Sequence, residues 1–404
     1  MRVLTSIVII ATIISCKTQS QENNSGNNHS DKVNNSTSII PGASQLEEYL
    51  PLLEGKNVAM LVNQTSTIAN EHLVDTLLTR NVNITKIYAP EHGFRGDSEA
   101  GEHVVNGIDV KTGLPIISLY GANRKPSVEN MKGIDIVIFD IQDVGARFYT
   151  YISSMHYVME ACAENNVPLL ILDRPNPNGH YVDGPVLDTA YRSFVGMHPI
   201  PVVRGLTVAE LAKMINGEKW LANGEECSIT TVRVENYNHN TPYNLPISPS
   251  PNLPNNQSIL LYPSICFFEP TIVSIGRGTE FPFQVIGYPK NTLDTFEFTP
   301  VSIKGKSLHP KHENVVCTGQ DLRKGAVKNE ISLKYLLSYF KQINDPEKFF
   351  TNTSFFDKLA GGKGLREAIV TGKSEKEIRA SWESELEIYK GKRKKYLLYE
   401  DFSN

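Results

Sequence analysis

The apolar run Ile134-Asp-Ile-Val-Ile-Phe139 leads into the polar loop Asp140-Ile-Gln-Asp-Val-Gly145, and this pattern indicates the class of fold. Short, nearly continuous apolar runs bounded by polar loops are typical of strands that are buried on both faces of a parallel sheet. The same pattern, with helical patterns in between, recurs at Val58–Val62, Ile84–Tyr88, Ile116–Leu119 and Leu169–Leu172. The sequence therefore predicts an α/β fold with a parallel sheet.

Polar side chains follow these strands at the points where the strands should end. They carry amide, carboxylate, imidazole and guanidinium groups: Asn63, Glu91, His92, Arg95, Asp140, Gln142, Asp143 and Asn176. In open α/β sheets the ligand binds outside the carboxyl ends of the strands. We therefore expect these side chains to converge on one cleft, as in an enzyme.

The strand–loop–helix order is Rossmann-like, but the motifs that bind nucleotide phosphates are missing. No Gly-x-Gly-x-x-Gly follows a predicted strand, and the glycine cluster at 361–364 lies late in the chain. Neither a dinucleotide site nor a Walker-type loop is expected. We predict no cofactor.

Two domains are expected, since the repeated strand–loop–helix pattern does not continue beyond about residue 196. A Rossmann-like domain is assigned to residues 43–195 and an α/β domain to residues 196–404. The second begins with a helix over Thr207–Asn216, with Thr207 as N-cap and Glu210 at the capping-box position. It continues with a proline-rich loop at 248–254 and a glycine-rich turn at 274–280.

Composition excludes some functions. The formal net charge of −4 over 404 residues implies no broad basic face, so nucleic acid is not an expected partner. The basic run at 390–395 is interpreted as a solvated helix end. The internal cysteines lack Cys-x-x-Cys spacing, so neither a metal site nor a disulfide framework is predicted: Cys162, Cys227, Cys266 and Cys317.

The amino terminus has the features of a secretion signal. Arg2 precedes the apolar run Ile7–Ile14, which is too short to span a bilayer. Ile14-Ser-Cys16 resembles a bacterial lipobox, in which cleavage precedes an acylated cysteine. Residues 17–42 are polar and are interpreted as a disordered tether. We expect a lipid-anchored envelope protein, on the periplasmic face or the cell surface; the alternative is an ordinary signal peptide with an incidental Cys16.

Several carboxylates are candidates for catalysis. Glu91, at a strand end beside Pro90 and His92, suits a general acid, or else it caps a helix or pairs with Arg95. Asp140 and Asp143 suit acid–base work, metal binding or capping. A carboxylate from the second domain would come from Glu269 or Glu280.

Arginines are concentrated in the predicted loops: Arg95, Arg124, Arg147, Arg174 and Arg277. Because guanidinium groups bind carboxylates and phosphates in a bidentate fork, an anionic small-molecule substrate is indicated. Structural ion pairs are the alternative for most of them.

Longer motifs add a family resemblance. They are Glu91-His-Gly-Phe-Arg-Gly96, Thr112-Gly-Leu-Pro115, Ser118-Leu-Tyr-Gly121, Arg124-Lys-Pro126, Phe139-Asp-Ile-Gln-Asp-Val-Gly-Ala-Arg-Phe-Tyr-Thr-Tyr151, Leu172-Asp-Arg-Pro-Asn-Pro177, Ser193-Phe-Val-Gly196, Ser248-Pro-Ser-Pro-Asn252 and Gly276-Arg-Gly-Thr279. In this order, from about residue 43 to about 400, the chain resembles the exo-β-N-acetylmuramidase family of the NamZ type.

The resemblance implies a glycoside hydrolase that removes N-acetylmuramic acid from the non-reducing ends of peptidoglycan fragments. It implies an active cleft between the two domains. Glu91 would protonate the leaving oxygen, and Asp143, Asp140 or Glu269, or else Glu280, would activate water or attack. The substrate's acetamido group is the alternative nucleophile.

Substrate contacts are predicted from the same loops: His92, Arg95, Asn63, Gln142, Arg147, Tyr149, Asn176, Asn252, Arg277 and Glu280. Arg147 or Arg277 would bind the lactyl carboxylate of the sugar.

The chain departs from this family's pattern at two positions. Ile275 stands where many relatives carry Glu, and Pro270 where they carry Gly. The alternative function is therefore a muropeptide-binding lipoprotein without catalysis. An amidase or esterase has less support, since no Gly-x-Ser-x-Gly elbow is present.

Overall fold

A computed structural model describes residues 38–95, 106–292 and 294–403. The predicted signal peptide, Cys16 and residues 17–37 of the predicted tether lie outside these ranges. The remainder of the tether contacts the folded part, since the backbones of Ile40 and Glu235 exchange hydrogen bonds of 3.1 and 2.9 Å. Within the described ranges, no helix has both the length and the apolar character to cross a membrane.

Helices separate groups of one to three strands in the first half of the chain. The strands are β1 (Val58–Val62), β2 (Thr67–Ile68), β3 (Glu71–His72), β4 (Ile84–Ala89), β5 (Gly107–Ile108), β6 (Pro115–Ser118), β7 (Ile136–Asp140), β8 (Leu169–Leu172), β9 (Ile229–Val232), β10 (Val285–Tyr288), β11 (Phe296–Phe298) and β12 (Cys317–Asp321). The helices are α1 (Leu46–Leu53), α2 (Leu73–Thr79), α3 (Val128–Met131), α4 (Tyr151–Glu164), α5 (Val208–Gly217), α6 (Asn256–Ile265), α7 (Lys334–Ile343), α8 (Pro346–Phe349), α9 (Thr353–Ala360), α10 (Gly364–Val370) and α11 (Glu375–Arg393).

The main sheet has the order β5-β6-β4-β1-β7-β8-β9. Its neighbours are parallel except at the edge, where β5 pairs antiparallel with β6. Without β5 the strands follow the chain order 3-2-1-4-5-6 that characterises Rossmann folds. The predicted α/β class is confirmed. However, β9 comes from the segment that we assigned to the second domain, so this sheet extends beyond residue 195.

Both faces of the sheet are covered, which explains the continuous apolar runs. Along β1, Val58 and Met60 pack in one apolar cluster, while Ala59 and Leu61 pack in the cluster on the opposite face. Successive side chains of a strand point to opposite faces, so both must be apolar when both faces are buried.

The helix after β7 does not begin directly at the end of the loop Asp140–Gly145. Ala146 forms a bridge with Val203, and the Arg147 amide donates to the Val202 carbonyl at 2.7 Å. Residues 145–150 are thus held by a neighbouring segment before α4 starts at Tyr151.

The second half of the chain contains the helices α6 to α11 and a smaller antiparallel sheet, ordered β10-β12-β11. The predicted cap of α5 is confirmed, because Thr207 and Glu210 form the reciprocal capping box.

Candidate active site

A cavity of about 620 Å³ lies between residues that follow β4 and β7 and residues from the second half of the chain. It brings together six of the predicted site residues: Glu91, His92, Tyr149, Asn252, Glu269 and Arg277. Such a volume suits a small-molecule site.

Glu91 is held in the cavity wall by two hydroxyl groups. The Tyr120 hydroxyl lies 2.9 Å from Glu91 Oε1, and the Thr150 hydroxyl lies 2.7 Å from Oε2. The two donors lie in different segments, Tyr120 just after β6 and Thr150 just before α4, so two separate loops fix the carboxylate. A carboxylate oriented in this way, and half-buried beside a cavity, can transfer a proton to a bound molecule.

The turn after β4 determines where Glu91 sits. His92 and Gly93 both adopt positive φ angles of 69° and 78°, and the Gly93 amide donates to the Pro90 carbonyl at 3.0 Å. Glycine adopts this conformation freely, whereas for histidine it is uncommon. Backbone strain of this kind is often found at functional sites.

Glu269 is the second carboxylate in the cavity wall. Arg277 donates to its Oε1 from Nε at 2.8 Å and from Nη2 at 2.5 Å. The backbone around Glu269 is fixed by Lys311, whose Nζ contacts the carbonyls of Phe268, Glu269, Thr271 and Val273. Burial lowers the pKa of Lys311 to about 8, so the ammonium form persists at neutral pH.

The proline-rich loop forms another wall and is tied to the first half of the chain. The hydroxyls of Tyr149 and Tyr151 donate to the Pro249 carbonyl at 2.8 and 3.2 Å. Further along the loop, the Asn252 amide donates to the Lys306 carbonyl at 2.8 Å. This wall is therefore fixed by contacts on both sides.

Asp140 and Asp143 lie outside the cavity lining, in buried ion pairs. Asp140 contacts Arg174 through Nε at 2.5 Å and Nη2 at 2.9 Å. Asp143 contacts Arg204 at 2.6 Å and accepts the Gly145 amide at 2.6 Å. Because both carboxylates face buried cations, the geometry does not support the catalytic roles that we predicted for them.

Arg147 is a structural residue rather than a ligand for substrate. It is fully buried, and its guanidinium donates to the carbonyls of Pro185, Ile200 and Leu359 at 2.7 to 2.8 Å. Gly361 leaves room for it, since a Cβ there would lie 2.6 Å from Arg147 Nη2. The predicted contact with a substrate carboxylate is not available to this side chain.

Three predicted amides also turn away from the cavity. Asn63 accepts from the Thr65 amide at 2.9 Å. Gln142 donates to the carbonyls of Asp143 and Pro175, both at 2.8 Å, and Asn176 donates to that of Leu206 at 2.9 Å. These contacts hold the loops that follow β1, β7 and β8, and none of the three amides lines the cavity.

Arg95 and Glu280 also lie outside the cavity lining. Glu280 is 73% exposed, with Lys306 at 3.7 Å. Arg95 donates to both oxygens of Asp109, at 2.9 and 2.8 Å. This contact lowers the pKa of Asp109 from 3.8 to about 2.

The shifted pKa of Asp109 predicts a pH-dependent contribution to stability. The folded-state pKa lies below the unfolded value, so the stabilisation is complete above the unfolded pKa and is lost as the pH falls through the folded one. We expect Asp109→Asn to lower the free energy of unfolding by about 1–2 kcal/mol at neutral pH. Urea titrations should show this difference shrinking at about pH 3 and below. A difference that does not change with pH would contradict this origin.

The sequence did not indicate several residues of this site. Thr150 and Tyr120 are within recognised motifs, but only the fold places them on Glu91. Lys306 and Lys311 belong to no motif, so no local signal identified them. Over the described ranges, no group of three or more His, Cys, Asp or Glu side chains could hold a metal ion.

The Rossmann strand order and a cavity lined by Glu91 and Glu269 are features of a two-domain α/β enzyme. The family model described as "Exo-beta-N-acetylmuramidase NamZ, N-terminal" matches residues 58–257, and the corresponding C-terminal model matches residues 260–399. The chain belongs to the NamZ family. The two family models meet between residues 257 and 260, beyond β9, whereas we had placed the domain boundary near residue 195.

Individual relatives agree with this assignment. Peptidoglycan beta-N-acetylmuramidase NamZ of Bacillus subtilis (strain 168) is 39% identical over 374 residues, which cover 88% of this chain and 89% of that protein. A crystal structure of a DUF1343 family protein from Bacteroides fragilis NCTC 9343 is 49% identical, with a TM-score of 0.84, and covers 90% of this chain and 100% of its own. A second crystal structure of a DUF1343 family protein from that organism is 30% identical, with a TM-score of 0.78. It covers 90% of this chain and 99% of its own.

Proposed function

We propose that this protein is an exo-acting β-N-acetylmuramidase that releases N-acetylmuramic acid from the non-reducing ends of peptidoglycan fragments during cell-wall turnover. The observation that carries the proposal is Glu91, held by Tyr120 and Thr150 in the cavity wall of a NamZ-family chain. The Bacillus subtilis relative is named as a peptidoglycan beta-N-acetylmuramidase, which supports this activity.

In this proposal Glu91 protonates the oxygen that leaves with the neighbouring sugar. Glycosidases need such an acid because the transition state resembles an oxocarbenium ion. Glu269 is the only other carboxylate among the described residues that line the cavity, so it is the protein's candidate for the second role. It would activate water, or it would orient the acetamido group of the substrate for attack.

Ile275 does not supply a carboxylate to this site. It is buried in the core, and its carbonyl accepts the Phe283 amide at 2.7 Å. The departure from the family's pattern therefore leaves Glu91 and Glu269 as the pair to test.

The proposal extends to the cell envelope. Cleavage before Cys16 and acylation of that residue would hold the enzyme on a membrane by its lipid alone, with residues 17–37 as the tether. This location would place the cavity where peptidoglycan fragments are formed. Labelling of the intact chain with a radioactive or clickable fatty acid, and its loss in Cys16→Ala, would test the anchor.

The activity is tested with a soluble fragment that begins at Ser38 and with N-acetylmuramyl-β-1,4-N-acetylglucosamine. Mass spectrometry should detect both monosaccharides, and a sample treated with chelator should behave identically. Proton NMR of the first product formed would give the stereochemistry. Binding of an intact disaccharide without cleavage would overturn the proposal in favour of a muropeptide-binding lipoprotein.

A further inference from the structure

The cavity holds cations that differ in how their charge is balanced. Among the described lining residues, the lysine and arginine side chains are Arg277 and Lys306. Both donors that Arg277 directs at Glu269 reach the same oxygen, at 2.8 and 2.5 Å. Its charge is therefore already matched by a carboxylate of the same cavity, and a second anion would have to compete with Glu269.

Lys306 is in a different situation. The carboxylate nearest to its Nζ among the described residues belongs to Glu280, at 3.7 Å, and this glutamate is 73% exposed. Exposed ion pairs of this length contribute little, because water and salt screen them. An anion that enters the cavity can replace Glu280 at small cost.

The backbone holds Lys306 in place. Ile303 and Ser307 exchange two backbone hydrogen bonds of 2.9 Å, which close a tight hairpin with Lys306 in its turn. The Lys306 carbonyl accepts the Asn252 amide, and Asn252 is 2% exposed. The ammonium group is thus carried by a fixed segment at the cavity wall, with its own flexible side chain to adjust to a ligand.

We propose that Lys306 binds the lactyl carboxylate of the N-acetylmuramic acid unit and so selects this sugar over N-acetylglucosamine. The inference rests on the proposed function and names its specificity residue. A carboxylate entering beside Glu91 and Glu269 is repelled unless a cation compensates it, and Lys306 is the one lining lysine or arginine of the described residues without a close ion pair. It takes the role that the sequence had suggested for Arg147 or Arg277.

The test compares two substrates that differ only in charge: the muramyl disaccharide and its lactyl methylamide. Lys306→Met should lower kcat/KM for the carboxylate substrate by roughly 10- to 100-fold, the usual effect of losing a hydrogen bond to a charged group. The loss should reside mainly in KM, since the carboxylate is remote from the reacting bond. Turnover of the methylamide should change little, and Lys306→Arg should recover most of the activity.

Lys304→Met is the matched control. Lys304 is exposed in the same hairpin and outside the cavity lining, so the charge change is identical while the contact is not. The inference would be overturned if Lys306→Met lowered kcat/KM equally for both substrates, or for neither. Failure of the unmodified protein to cleave any muramyl glycoside would instead contradict the proposed function. Calorimetry of N-acetylmuramic acid binding to the same variants would then still decide whether Lys306 binds the carboxylate.

Discussion

Glu91→Gln is expected to leave the protein folded and to lower kcat for the muramyl disaccharide by about 10²–10⁴-fold. The substitution keeps the shape of the side chain and an oxygen that can accept from Tyr120 or Thr150, which now lie at 2.9 and 2.7 Å. It removes the proton that the leaving oxygen needs. The measurement is the rate of monosaccharide release, together with the urea midpoint by circular dichroism.

A substrate whose leaving group needs no proton tests whether Glu91 acts as the acid. Dinitrophenolate leaves a dinitrophenyl glycoside without protonation, so Glu91→Gln should lower kcat much less with that substrate. Glu280→Gln makes the same chemical change at an exposed carboxylate outside the cavity lining and should keep normal rates. Near-normal turnover of the disaccharide by Glu91→Gln would remove Glu91 from the acid role.

Strands buried on both faces could be predicted from the sequence, because burial demands an unbroken apolar run. Val58–Val62 and Leu169–Leu172 form strands with the predicted bounds. Edge strand β9 has the sequence Ile-Thr-Thr-Val and only partial burial. This strand lacks the continuous apolar run of a strand buried on both faces, so the sequence pattern did not assign it to the sheet.

The candidate site could be predicted only in part. Glu91 was identified because it follows a strand, and this position is local in the sequence. Its partners Tyr120 and Thr150 lie 29 and 59 positions away, and only the strand order brings them together. Periodicity likewise does not tell whether a carboxylate at a strand end faces a cavity or a buried guanidinium, as for Asp140.

Asp140→Asn is therefore expected to act on stability. Asp140 and Arg174 have side-chain exposures of 0% and 4%, and both oxygens of the carboxylate engage the guanidinium. Breaking a buried ion pair on one side leaves an uncompensated charge, which costs about 3–5 kcal/mol of unfolding free energy. Urea titration should show this loss, while the folded fraction keeps the specific activity of the unmodified protein.

The other end of the same strand provides the control for this prediction. Asp135 is exposed just before β7 and accepts the Asn57 amide at 2.8 Å. Asp135→Asn should therefore lower the free energy of unfolding by much less than Asp140→Asn does. If Asp140→Asn is too unstable to assay, the double variant Asp140→Leu with Arg174→Met removes both charges and should regain much of the stability. A stable Asp140→Asn protein without activity would instead restore the catalytic role that the sequence suggested. The two outcomes separate a carboxylate that supports the carboxyl end of β7 from one that acts on the substrate.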